Sequence, residues 1–230
     1  MRKNVMWKMM IALLFMIVFA LIIDIPPNKA NEVSSDLHQS SRTYIIDAGH
    51  GGEDGGAVSV SGIYESRLNL EIAIRLDALF HLMGCNTFMI RTNDSDLHTE
   101  GDTIRQRKRS DLAERVKAAN HIPNGFLISI HQNYFQEQKY RGMQVFYGDP
   151  ASKQDAEAIQ NGYSAHISPS HRRLAQKKSG IYLLDHIKCN AVLIECGFLS
   201  NPEEELLLQS KDYQCKLCSV IVTSLLKDRQ

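Results

Sequence analysis

The chain has 230 residues, 43% of them hydrophobic, and its 26 basic and 26 acidic side chains give a formal net charge of +0. That length suits one well-packed domain and is too short for two comfortable ones. A balanced charge provides no general attraction to a polyanion, so nucleic-acid binding is set aside.

The first residues stand apart from the rest. Arg2, Lys3 and Lys8 precede an apolar run from Met9 to Ile23, and Asp24, Pro26 and Pro27 follow. This layout predicts an export signal or signal anchor over residues 1–25, with its positive end on the cytoplasmic side. No A-x-A cleavage site follows, so an uncleaved or inefficiently cleaved segment is expected, and it would be the chain's one contact with the membrane. Residues 26–41 read as a polar linker, and a single domain is expected over 42–230.

Within that domain Tyr44–Ile46 reads as a buried strand and 49–62 as a glycine-rich loop. Leu68, Ile72, Leu76, Leu79 and Met83 recur at spacings of three and four, which predicts an amphipathic helix ended by Gly84. Thr87–Ile90 reads as a second strand and 92–103 as a polar loop. A charged helix is expected over Ile104–Asn120, with Leu112, Val116 and Ala119 facing inward. Further strands are expected at Phe126–Ile130, Met143–Tyr147 and Ala191–Ile194, and a short one at Ile181–Leu184. A helix is expected over Ser152–Ser164. Asn201-Pro202-Glu203-Glu204 carries the signals of a helix start: a capping amide, proline in the first turn and acids at the positive end of the dipole. A final helix spans 212–227. Strands alternating with helices predict an α/β fold with a mostly parallel sheet, whose site lies beyond the carboxyl ends of the strands.

Five cysteines is an odd number for an exported chain, and Cys215-x-x-Cys218 has no second pair nearby. Cys85 and Cys196 read as small buried apolar residues. The basic runs at 105–109 and 171–178 read as solvated surfaces.

Four polar residues end or flank apolar runs: His50 in YIIDAGHGGEDGG, Glu65 in GIYESRLNLEI, His131 in FLISIHQN and Glu195 in NAVLIECGFLSN. Each has an ordinary structural reading. His50 and His131 suit satisfied strand-end histidines, and Glu65 suits an acid at a helix start. Glu195 is the oddest, a carboxylate ending Ala-Val-Leu-Ile. Converging at one sheet edge, the four would supply three metal ligands and a proton shuttle. The 49–62 loop does not suit phosphate, because no Lys-Ser/Thr follows and Glu53 and Asp54 would repel it.

Taken in order, these motifs resemble the family 3 N-acetylmuramoyl-L-alanine amidases, zinc enzymes of cell-wall turnover, over residues 43 to about 227. The resemblance implies a six-stranded sheet with helices on both faces. It implies Zn2+ held by His50, Glu65 and His131, with Glu195 as the catalytic glutamate. Asp47 would stand behind His50 as an orienting or purely structural residue. The segments DLHTEG from Asp96, RKRSDLAERV and GIYLLDH further resemble the spore-cortex branch of the family. There the enzyme strips stem peptides from muramic acid so that a partner deacetylase can form muramic-δ-lactam. Two positions depart from the usual pattern: Asp185, where many relatives carry Arg or Lys, and Asn190, where many carry Pro.

The expected substrate is the peptidoglycan glycan strand with its stem peptide. Three ligands, one of them a carboxylate, are expected to hold zinc loosely, so an activating protein partner or the substrate is expected to tighten the site. The alternatives are a zinc carboxypeptidase acting on wall peptides and a non-catalytic wall-binding protein.

Overall fold

The structure is a computed structural model in which residues 42–227 are described. The expected export signal and the expected linker lie outside the described residues, as do the last three positions.

The elements run β1 (Thr43–Ala48), α1 (Glu65–Leu82), β2 (Asn86–Met89), α2 (Ile104–Asn120), β3 (Gly125–Asn133), β4 (Gln144–Tyr147), α3 (Lys153–His166), β5 (Gln176–Lys177), α4 (Tyr182–His186), β6 (Asn190–Phe198), α5 (Pro202–Gln209) and α6 (Lys211–Leu226). The six strands form one sheet in the order β2-β1-β3-β6-β4-β5. β1, β2, β3 and β6 are parallel, whereas β4 is antiparallel to β6 and parallel to β5.

Alternation along the strands divides the core between the two faces. Tyr44, Ile46, Phe126, Ile128, Val192 and Ile194 pack with apolar residues of α1, α3 and α6. Ile45, Leu127, Ala191 and Leu193 pack instead with Ala119 of α2 and with Leu183 and Leu184 of α4. The helix start at Asn201 is formed as expected: its side chain accepts from the N–H of Glu203 and Glu204 at 3.0 and 3.1 Å.

The structure corrects one expected element. Of Ile181–Leu184, expected as a strand, Tyr182–Leu184 lie in α4 and Ile181 is its N-cap. Asp185 accepts from the Gly180 N–H at 2.8 Å, and Tyr182 stacks on His186 one turn later, with centroids 4.1 Å apart. Both leucines are buried by that turn. The strand that completes the six is β5, Gln176–Lys177, two exposed polar residues with no apolar alternation to betray them.

The inward stripe of α2 also differs from expectation. Asp111, Arg115 and Ala119 are buried, with Leu112 and Val116 only partly so. Arg115 is 1% exposed. Its guanidinium donates to Asp47 Oδ1 at 2.6 Å and Asp111 Oδ2 at 2.7 Å, and to the carbonyls of Ala48 at 2.9 Å and His50 at 2.6 Å. The Ser129 hydroxyl donates to Asp47 Oδ2 at 2.6 Å from the neighbouring strand. Arg91 approaches the same bend and donates to the carbonyls of Ala48, Gly49 and Ser66 at 2.7, 3.1 and 2.8 Å. A buried carbonyl without a partner is costly, so the end of β1 depends on these two side chains.

Burial works against the charge on Asp47, but Arg115 and the Ser129 hydroxyl outweigh it and hold the carboxyl below its ordinary value. A depressed carboxyl stabilises the fold above its unfolded pKa, and that contribution disappears as pH falls through the lower folded value. Arg115→Met should therefore destabilise the domain by about 3–5 kcal/mol in urea unfolding at pH 7. Asp47→Asn should also be less stable at pH 7, and its gap to the wild type should narrow below the ordinary value of 3.8. A gap that stays constant down to pH 3 would contradict the assignment.

Candidate metal centre and catalytic edge

Three of the four flagged side chains meet beyond the carboxyl ends of β1 and β3. His50, Glu65 and His131 each offer a ligand atom, and these atoms lie within 4.8 Å of one another. His50 Nε2 is 3.2 Å from Glu65 Oε2, and His131 Nδ1 is 3.0 Å from Glu65 Oε1. Two imidazoles and a carboxylate gathered around one point suit a borderline-soft divalent cation such as zinc.

Each residue is delivered by a different device. His50 sits in the turn after β1 with φ +62°, a left-handed conformation uncommon for a residue with a side chain. His131 lies near the end of β3, facing the same side of the sheet as Leu127 and Ser129. Glu65 is the first residue of α1. Its Oε1 accepts from the Asn69 amide at 3.2 Å and the Gln132 N–H at 3.1 Å, and its Oε2 from the Ala57 N–H at 3.0 Å. The loop before it is tied to α5, where Glu205 accepts from the hydroxyls of Ser59 and Ser61.

Glu195 lies on β6 directly opposite His131 in the parallel pairing, and opposite Gln144 on its other side. Adjacent strands are about 4.8 Å apart, so Glu195 borders the cluster without belonging to it. Its Oε2 is buried without a hydrogen-bond partner. Burial raises its carboxyl above the ordinary value, against the pull of His131. A carboxyl that holds a proton more readily than usual, with an unpartnered oxygen beside the candidate metal cluster, can take a proton and give it back.

The cluster itself is strongly polarised. Burial opposes a charge on Glu65, but His131 and His50 hold its carboxyl well below the usual range. Burial likewise opposes a charge on His50, yet Asp54 and Glu65 raise its pKa to about 9. The carboxylate against the His50 ring is Asp54, with Nδ1 to Oδ2 at 2.9 Å. Asp47 is joined to His50 through Arg115, which bonds the Asp47 carboxylate and the His50 carbonyl together. A cavity of about 200 Å³ opens beside the cluster, bordered by His50, His131, Lys108, Leu112 and Tyr182.

Sequence reasoning used Asp54 only as a repeller of phosphate and passed over Arg91, Arg115 and Asn69. One signal was available for Arg115: with Asp111 and Ala119 it marks a single helix face at spacings of four. The basic run on α2 is not wholly solvated either, because Arg107 pairs with Glu53 and Lys108 with Asp54, each at 2.7 Å. His171 packs edge-on against Tyr163, with centroids 5.0 Å apart.

Two glycines make room for the centre. A Cβ at Gly49 would overlap the His131 ring, and one at Gly56, where φ is +69°, would lie 2.6 Å from Glu65 Oε2 and 2.8 Å from His50 Cδ2. Gly56→Ala would face both this crowding and a left-handed backbone penalty of about 1–2 kcal/mol. It should weaken divalent-metal binding at least about tenfold in a chelator competition, with helix content by circular dichroism retained. Unchanged affinity would show that the loop yields without moving Glu65.

The geometry agrees with what is found among known proteins. A family model described as N-acetylmuramoyl-L-alanine amidase matches residues 45–227. A germination-specific N-acetylmuramoyl-L-alanine amidase of Bacillus subtilis (strain 168) is 34% identical over 230 residues, covering 99% of this chain and 96% of that protein. The solved CwlD amidase from Clostridioides difficile, in complex with the GerS lipoprotein, superposes with a TM-score of 0.78 at 34% identity, over 81% of this chain and 98% of its own. An N-acetylmuramoyl-L-alanine amidase from Clostridium difficile 630 gives 0.72 at 28% identity, over 83% and 98%. The chain therefore belongs to the Amidase_3 family of N-acetylmuramoyl-L-alanine amidases, hydrolases of the amide bond between N-acetylmuramic acid and L-alanine in peptidoglycan.

Proposed function

We propose that this chain is a zinc-dependent amidase of the spore cortex. It would remove stem peptides from muramic acid, leaving the sugar free for a deacetylase and muramic-δ-lactam formation. The observation that carries the zinc reading is the meeting of His50, Glu65 and His131, with the partnerless Glu195 Oε2 on the neighbouring strand. The cortex assignment is supported by similarity, along nearly its full length, to a germination-specific relative.

His50, Glu65 and His131 would hold the ion. When bound, zinc supplies Lewis acidity to the scissile carbonyl and makes the attacking water more acidic. Glu195 accepts the proton of that water and then donates it to the departing amine of L-alanine, so one carboxyl serves both half-steps. Its burial raises its proton affinity, which suits the second transfer.

Three neighbouring ligands in a partly open site hold metal less firmly than a closed four-residue set. A protein partner that tightens the site is part of the proposal, supported by similarity to an amidase solved with a lipoprotein. Action outside the cytoplasmic membrane, with residues 1–25 as signal or anchor and 26–41 as linker, completes the reading. Among the described residues no helix is long and apolar enough to cross a membrane.

Glu195→Gln should retain zinc and fold while losing about 100- to 10,000-fold in the release of intact stem peptides from purified sacculi. Near-normal turnover by this variant would remove Glu195 from the mechanism. His131→Ala should lose bound zinc by elemental analysis, and full zinc content would strike it from the ligand set.

A further inference from the structure

We propose that Asp54, braced by Lys108, is a positioning residue that commits His50 to present Nε2 to the metal. This rests on the metal reading of the His50–Glu65–His131 cluster. The two ring nitrogens of His50 have separate partners. Nδ1 faces Asp54 Oδ2 at 2.9 Å, and Nε2 faces Glu65 Oε2 at 3.2 Å. An ionised carboxylate accepts hydrogen bonds and donates none, so the nitrogen beside it must carry the proton. The same holds for Nε2 beside Glu65, so the Nε2 proton is the one a bound metal would displace, while Asp54 keeps the proton on Nδ1.

Asp54 is itself held from three directions. Its Oδ1 accepts from Lys108 Nζ at 2.7 Å and from the Gly56 N–H at 3.2 Å. Its backbone exchanges two hydrogen bonds with Gly51, at 2.8 and 3.0 Å, closing a tight loop that folds Asp54 back onto His50. Lys108 and Arg115 both come from α2. That helix therefore grips His50 twice: at its backbone carbonyl through Arg115, and at its ring through Lys108 and Asp54. A residue in a left-handed turn would otherwise have a free χ rotation, and this arrangement leaves the ring one orientation.

The ordinary alternative is a loop ion pair with no influence on the metal. Half-exposed pairs of this kind contribute little to stability. The two readings therefore separate in metal affinity rather than in melting temperature.

The test uses the full-length chain, stripped of metal and titrated with zinc against a chromophoric chelator. Asp54→Ala should bind zinc about 10- to 100-fold more weakly, with Asp54→Asn recovering part of the loss because one acceptor oxygen remains. Lys108→Met should show a smaller loss than Asp54→Ala. Arg107→Gln, which breaks the adjacent loop ion pair to Glu53, should bind as the wild type does. The zinc-loaded wild type should also show a slowly exchanging His50 Nδ1–H by nitrogen-resolved NMR, absent from Asp54→Ala. Zinc affinity of Asp54→Ala within about twofold of wild type would overturn the proposal while leaving the metal site intact. So would a metal-free melting temperature lowered as far as in Arg115→Met, since the loss would then be one of folding. A wild-type chain that takes up no zinc would instead bring down the metal reading of the cluster itself.

Discussion

The Arg115 guanidinium lies where β1 stops being a strand and starts being a site. The carbonyls of Ala48, Gly49 and His50, where the strand gives way to the turn, accept from arginine side chains. Arg115 bonds two of them, at Ala48 and His50, and neutralises Asp47 and Asp111 in the same contact. Arg91 takes the carbonyl of Gly49 and shares that of Ala48. A left-handed histidine between glycines is a costly conformation, and it persists because the surrounding polar groups would be left unpaired in any other. The interior polar network thus fixes the position of His50.

The two layers of helices divide the work. On one face α1 delivers Glu65 at its N-terminus, and α5 anchors the preceding loop through Glu205 and the two serines. On the other face α2 supplies Arg115 to the backbone of His50 and Lys108 to Asp54. The sheet between them contributes His131 and Glu195 as opposed residues of neighbouring parallel strands. The cluster is therefore a joint product of both layers, and it lies at the end of the sheet where α/β folds generally place their chemistry.

Charge distribution gives the four central carboxyl and imidazole groups different characters. Glu65 is surrounded by donors and remains ionised, whereas Glu195 is buried with one oxygen unpartnered and holds a proton more readily. Two carboxylates are thus pushed in opposite directions, one beside the imidazoles and one across the strand pairing, as the proposed division between metal ligand and proton carrier requires.

Local sequence alone determined the elements whose burial is repetitive. The apolar runs of β1, β3 and β6, the three-four spacing of α1 and the cap at Asn201 each act through their own residues. The four motifs also pointed to a shared edge, since three of them end parallel strands. What tertiary structure decided were the pieces whose signal is not local. Gln176–Lys177 becomes a strand because β4 offers it an edge, while Tyr182–Leu184 winds into a helix because Asp185 closes its first turn. Arg115 is buried because Asp47, Asp111 and two carbonyls from distant positions meet around it. Asp54 faces His50 because a helix some fifty residues later holds it there. Periodicity reports which side of an element is apolar. Partners for a buried charge come from other elements, and only the folded chain brings them within reach.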